Sequence, residues 1–71
     1  MKLPIRNRGS KPMTLVIELI AEEYEIPVGG EAIVHLEDGL PHSIEVHEDC
    51  VVIFDEGSTW QVDVIAPDLR T

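Results

Sequence analysis

The side chains most suited to binding a metal ion lie in the middle of the chain: His35, His42, His47 and Cys50. Imidazole nitrogen and thiolate sulfur are the ligands that zinc and related metals prefer. His42 and His47 are five residues apart on one predicted strand, so their side chains should point to opposite faces. A β-bulge would reverse that facing and bring one pair together. We therefore predict no metal and no cofactor, with His35, His42 and His47 as the alternative metal ligands.

Nucleophilic catalysis has little support in the sequence. Cys50 opens an apolar run and has no basic neighbour that would favour its thiolate. Ser43 and Ser58 lack the Gly-x-Ser-x-Gly setting of a nucleophile elbow. Gly29-Gly30 precedes a predicted strand, whereas a phosphate-binding loop precedes a helix. The sequence predicts no catalytic residue and favours a protein that is not an enzyme.

Adjacent carboxylates are the other groups with potential chemistry. They occur as four pairs in predicted turns: Glu22/Glu23, Glu37/Asp38, Glu48/Asp49 and Asp55/Glu56. General acid–base catalysis needs a carboxyl group that burial keeps protonated, and carboxylates in turns are solvated. We expect these pairs to be solvated, and they do not have the ligand spacing of an EF-hand.

The segment Tyr24–Gly29 resembles the Pro-x-Gly corner that opens the second conserved motif of cupins. A cupin has a histidine soon after that glycine and a His-x-His earlier in the chain. Here Glu31 and Ala32 follow, His35 is the next histidine, and no His-x-His exists. The resemblance implies a short, metal-less sandwich, and it carries the alternative function of a divalent-metal-binding cupin-like protein or enzyme. The chain is also similar to small uncharacterised bacterial β proteins. The likeness rests on the strand, corner and strand around Pro27, followed by Gly57–Thr59 and a closing strand, and it implies no function.

These residues are positioned by short segments in which apolar and polar residues alternate, a pattern typical of strands. The predicted strands are Met13–Ile20, Tyr24–Val28, Glu31–Glu37, His42–His47, Cys50–Phe54 and Thr59–Ile65. Asp38-Gly39 separates two of them and is a hairpin signal. We expect Trp60 and Phe54 to fill the core. The pattern predicts an all-β fold, a small antiparallel β-sandwich or barrel of about five to six strands.

Charge is unevenly distributed along the 71 residues. Four of the five basic residues lie in the first eleven positions, and all 14 acidic residues follow residue 12. With Arg70 the only basic residue after position 12, the remainder of the chain carries 1 − 14 = −13. We predict a flexible basic arm at 1–12 and a single all-β domain at 13–71. A body this acidic repels phosphate backbones, so nucleic-acid binding is not expected.

A chain of this size has marginal stability without a disulfide, a metal or a partner subunit. Its single cysteine excludes an internal disulfide. Met13–Ile20 and Cys50–Phe54 carry apolar residues at both parities, as expected for strands at an interface. We therefore expect a non-enzymatic, acidic β interaction module that self-associates. Its partners would be a second copy or another protein; a membrane partner is not expected, and we predict a cytoplasmic location.

Overall fold

The structure is a computed structural model that describes residues 1–18, 21–39, 41–55 and 61–67. The described residues form seven strands: β1 (Lys2–Arg6), β2 (Met13–Glu18), β3 (Glu22–Ile26), β4 (Glu31–His35), β5 (His42–Val46), β6 (Cys50–Asp55) and β7 (Gln61–Ile65). The all-β prediction is confirmed. The described residues do not include Trp60, residues 19–20 of the first predicted strand or residue 59 of the last. None of the described segments is a helix that could span a membrane.

The strands form two sheets that pack face to face. Sheet A has three strands in the order β1-β4-β7, and sheet B has four in the order β3-β2-β6-β5. All neighbouring strands are antiparallel except β2 and β6, which are parallel. The chain leaves sheet B after β3, forms β4 in sheet A and returns with the β5–β6 hairpin, which sets β6 beside β2. The sequence predicted either a sandwich or a barrel. The structure is a sandwich, and its sheets do not form a closed barrel.

The core lies between the two sheets and follows the period-two pattern. Its buried residues are Leu15, Ile17, Ile26, Ala32, Val34, Leu36, Val51 and Ile53. Leu15 and Ile17 come from β2, and Ala32 and Val34 come from β4 of the opposite sheet. Burying one such aliphatic side chain larger than alanine contributes about 1.5–3 kcal/mol. These buried residues define the inner face of each sheet. The residues that alternate with them along each strand therefore lie on the outer face.

The prediction of a flexible arm over residues 1–12 is wrong for Lys2–Arg6, which forms β1 and pairs with β4. Leu3 and Ile5 pack against the core from this strand. Pro4 interrupts the segment in the sequence, but β1 is an edge strand, where a missing N–H is tolerated. Two apolar residues around a proline were too short a pattern to indicate a strand.

The hairpin predicted at Asp38-Gly39 is also wrong, although the turn itself is present. Gly39 has a φ of +82°, as such a turn requires. The strands on either side belong to different sheets, because β4 pairs with β1 and β7, and β5 pairs with β6. Pro41 follows the turn and has no N–H to donate to a ladder with β4. The connection therefore carries the chain from sheet A to sheet B.

The Pro27–Gly30 corner makes the reverse crossing, from β3 in sheet B to β4 in sheet A. The Gly30 N–H donates to the Pro27 carbonyl at 2.8 Å, and Gly29 has a φ of +78°, as in a type II turn. At Gly30 a Cβ would lie 2.8 Å from Pro27 Cγ and 2.9 Å from the Ile65 carbonyl oxygen. Glycine is required here by close approach of the neighbouring chain.

Candidate protein-binding face

The three histidines lie in separate environments. His35 is on β4 of sheet A and is buried, with its Nε2 2.9 Å from Asp63 Oδ2. His42 begins β5 of sheet B and is exposed. His47 follows β5, and its Nε2 lies 2.7 Å from Glu45 Oε1. Within the described ranges, no three His, Cys, Asp or Glu side chains are close enough together to hold a metal ion.

The His35–Asp63 pair joins β4 to β7. Asp63 accepts hydrogen bonds from Gln61 Nε2 at 2.9 and 3.0 Å in addition to its contact with His35. The hydrogen bonds from Gln61 and then His35 lower the pKa of Asp63 below its ordinary value of 3.8. A carboxylate with a lowered pKa is a weaker base, which is the reverse of what a general base requires. The pair is best understood as a contact between neighbouring strands.

The carboxylates of the predicted pairs are mostly exposed in the described residues, but the turn prediction is wrong for Glu22/Glu23, which begin strand β3. Asp55 is the exception, because β6 continues through it and its parity matches the buried Val51 and Ile53. Its neighbour Glu56 lies outside the described residues. On β3, the hydroxyl of Tyr24 donates to the carboxylate of Glu22, a contact that raises the pKa of Tyr24. For Asp55, the expectation of a solvated carboxylate is wrong, because this side chain is buried.

The outer face of sheet B, which points away from sheet A, has an apolar centre. Val16 of β2 lies beside Val52 of β6, and Phe54 is two residues further along β6. Val16 and Val52 are half-buried, and Phe54 is 39% exposed. The prediction that Phe54 fills the core is therefore wrong, because its parity on β6 is opposite to that of the buried Val51 and Ile53. We call Val16, Val52 and Phe54 the apolar stripe. Its presence agrees with the sequence-based expectation that β2 and β6 have apolar residues on both faces.

Glutamates surround the apolar stripe. Across the sheet, Glu23 of β3 pairs with Val16, and Glu45 of β5 pairs with Val52. Glu18 is the partner of Phe54 on β2. Together with Glu25 of β3, which shares the parity of Glu23, these residues form the acidic rim: Glu18, Glu23, Glu25 and Glu45. None of the four strands of sheet B contains Lys or Arg, and the side chain that contacts the acidic rim is His47, whose Nε2 lies 2.7 Å from Glu45 Oε1.

One side of the acidic rim opens into a groove of about 270 Å³ beside β3. The groove is lined by Pro12, Thr14, Glu23, Tyr24 and Glu25. Two of the four glutamates of the acidic rim therefore share one concave surface. A cationic side chain that entered this groove would lie close to the carboxylates of Glu23 and Glu25.

The outer face of sheet A differs in its charge balance. Arg6 of β1 donates from Nε to Glu31 Oε2 at 2.7 Å. Asp63 of β7 is bonded by Gln61 and His35, and Lys2 contributes a further favourable charge interaction. Acidic groups on this sheet therefore have cationic or donor groups beside them. The outer face of sheet B differs from it in having an apolar centre bordered by glutamates, with no Lys or Arg on its strands.

The fold is a small two-sheet β-sandwich, and the outer face of sheet B has an apolar centre bordered by glutamates. Comparisons with protein-family models, with curated proteins and with solved structures gave no significant match. The resemblance of Tyr24–Gly29 to the cupin corner thus rests on those six residues alone.

Proposed function

We propose that this protein is a non-enzymatic interaction module that binds a protein partner through the outer face of sheet B. The observation that carries the proposal is the apolar stripe enclosed by the acidic rim. An exposed aromatic side chain beside two aliphatic ones is the composition of an interface centre, where aromatic anchors contribute much of the binding energy.

The charge of the face indicates the chemistry of the partner. Two copies that met through this face would bring the glutamates of one acidic rim against those of the other, and like charges in register are unfavourable. A partner with an apolar centre and Lys or Arg around it would be complementary. The groove beside Glu23 and Glu25 would receive one of these cationic side chains. The occupant is therefore a basic protein surface or peptide segment.

A pair of matched peptides tests this proposal. One is an extended peptide in which Phe and Leu alternate with Lys, and its control has Glu at every Lys position. We expect the Lys peptide to bind and the Glu peptide not to bind, with affinity measured by fluorescence anisotropy. Added salt should weaken the binding, because the glutamates of the acidic rim are at the surface and are screened.

Variants of the protein locate the contact. Phe54→Ala should weaken binding of the Lys peptide at least about tenfold, since it removes the central anchor. Val64→Ala is the matched control, because Val64 is 42% exposed but lies on β7 of sheet A. Equal binding of the two peptides, or equal effects of the two variants, would contradict the proposal.

A further inference from the structure

Among the strands of the described residues, none of the opposite sheet lies above β5. Sheet B has four strands and sheet A has three, and β7 at one side of sheet A packs against β3. The uncovered strand is therefore β5, at the other side of sheet B, and all five of its residues are exposed.

The uncovered part of β5 continues the core face of sheet B. Ile44 pairs with Ile53, and Val46 pairs with Val51, so both share the inner face with buried residues. Ile44 nevertheless remains 45% exposed and Val46 75% exposed. Two aliphatic side chains that have the parity of the core but lie open to solvent indicate a surface that another chain covers.

The free edge of β5 also lacks the features that usually prevent strand pairing. Edge strands are commonly protected by proline, by charged side chains or by a covering element. Strand β1 has Pro4 and two cations, β3 has three glutamates, and β7 is packed against β3. Strand β5 has no proline and one carboxylate, Glu45, which already has His47 beside it at 2.7 Å.

We infer that β5 pairs antiparallel with β5 of a second copy, so that two copies form one continuous eight-stranded sheet. A second copy is favoured because β5 carries a single carboxylate, Glu45, so two copies that meet at this edge repel each other less than they would at β3. Pairing through β3 would instead oppose three glutamates to three. A twofold axis makes such a contact self-complementary and closed. This inference goes beyond the proposed partner binding and does not depend on it.

The register of the pairing follows from the faces and the charges. The core-facing residues of β5 have even numbers. They lie opposite core-facing residues of the second copy only in a register that pairs even-numbered residues with even-numbered ones. With Ile44 opposite its own copy, His42 lies opposite Val46, and Glu45 lies opposite the uncharged Ser43. This register uses all five residues of β5 and avoids placing Glu45 directly opposite itself. Ile44 and Val46 of both copies then form one apolar seam.

Sedimentation velocity over a range of concentrations tests the dimer with the whole chain. We expect the wild type to form a dimer and Ile44→Lys to raise the dimer dissociation constant at least about tenfold, because two lysines would face each other across the axis. Phe54→Lys is the matched control. It also introduces a lysine in place of an apolar side chain of similar exposure, but on the opposite face of sheet B. It should retain the dimer and lose binding of the Lys peptide, whereas Ile44→Lys should retain that binding.

Cysteine cross-linking tests the register without depending on the stability of a charged variant. In a Cys50→Ser background, Ile44→Cys should cross-link between copies on mild oxidation, because residues directly opposite have Cβ atoms about 5 Å apart. Val46→Cys should not, since its copy would be displaced by four residues, roughly 13 Å. A wild type that stays monomeric at every concentration, or equal cross-linking of the two variants, would overturn the inference.

Discussion

At the scale of single residues, Asn7 shows how one buried amide holds several segments together. Its Nδ2 donates to the carbonyls of Ile26 at 3.0 Å and Lys11 at 2.8 Å, and its Oδ1 accepts from the Gly9 N–H at 2.9 Å. The residues Asn7-Arg8-Gly9-Ser10 are of types that favour a turn, so the contact within this segment is local in sequence. The contact with Ile26 is not local, because it joins positions 19 residues apart that only the fold brings together.

We predict that Asn7→Asp lowers the free energy of unfolding by about 3 kcal/mol, since a buried carboxylate cannot donate to either carbonyl and faces two acceptors. Gln61→Glu makes the same amide-to-acid change at an exposed position; it removes the donor to Asp63 and places two carboxylates together, but both are solvated, so it should cost clearly less than Asn7→Asp. Urea denaturation measures both. Equal losses would mean that the hydrogen bonds of Asn7 do not hold the turn.

Asp63 gives a prediction about pH. Its pKa in the folded protein lies below 3.8, so its contacts with Gln61 and His35 contribute stability above that pH, which is lost as the pH falls through the lower folded value. The melting temperature of the wild type should exceed that of Asp63→Asn at neutral pH. The difference should shrink below pH 3.8. A difference that does not change with pH would show that the charge of Asp63 is not involved.

At the scale of strands and turns, two glycines give a matched comparison. Gly30→Ala should cost about 2–3 kcal/mol, because the added methyl would overlap Pro27 Cγ and the Ile65 carbonyl oxygen. Gly39→Ala should cost about 1 kcal/mol, because its φ of +82° opposes a side chain, whereas no atom of the described residues other than its chain neighbours lies within 4 Å of the added Cβ. Thermal or chemical unfolding of the two variants measures the order. The reverse order would contradict the close packing of the Pro27–Gly30 corner.

The strands themselves were largely predictable, but their pairing was not. Alternation located β2 to β7 within a few residues, because burial of one sheet face imposes a period of two on the sequence. Nothing local indicates that Thr14 lies beside Cys50, since that parallel pair forms only after the chain has passed through the other sheet. The same applies to the site. Apolar residues on both faces of β2 and β6 were evident, whereas the exposure of Ile44 and Val46 depends on which strand sheet A leaves uncovered.

At the scale of the whole molecule, charge separates the two sheets. Sheet A includes Lys2 and Arg6 and neutralises its own acids, whereas the strands of sheet B hold glutamates and no Lys or Arg. A strongly acidic protein is kept soluble by this charge and selects against acidic partners. In the dimer we infer, the two apolar stripes would lie on one side of a continuous sheet, so that a partner with two basic segments could bind both. Two linked contacts bind more tightly than either alone.

The most direct test of the account is a chemical-shift map by NMR of the protein bound to the Lys peptide. It reports the bound surface residue by residue, without a substitution. We predict the largest changes at Val16, Val52 and Phe54, with smaller changes at Glu23 and Glu25 and little change on sheet A. Changes confined to sheet A or to β5, or no changes at saturating peptide, would contradict the assignment of the outer face of sheet B as the protein-binding surface.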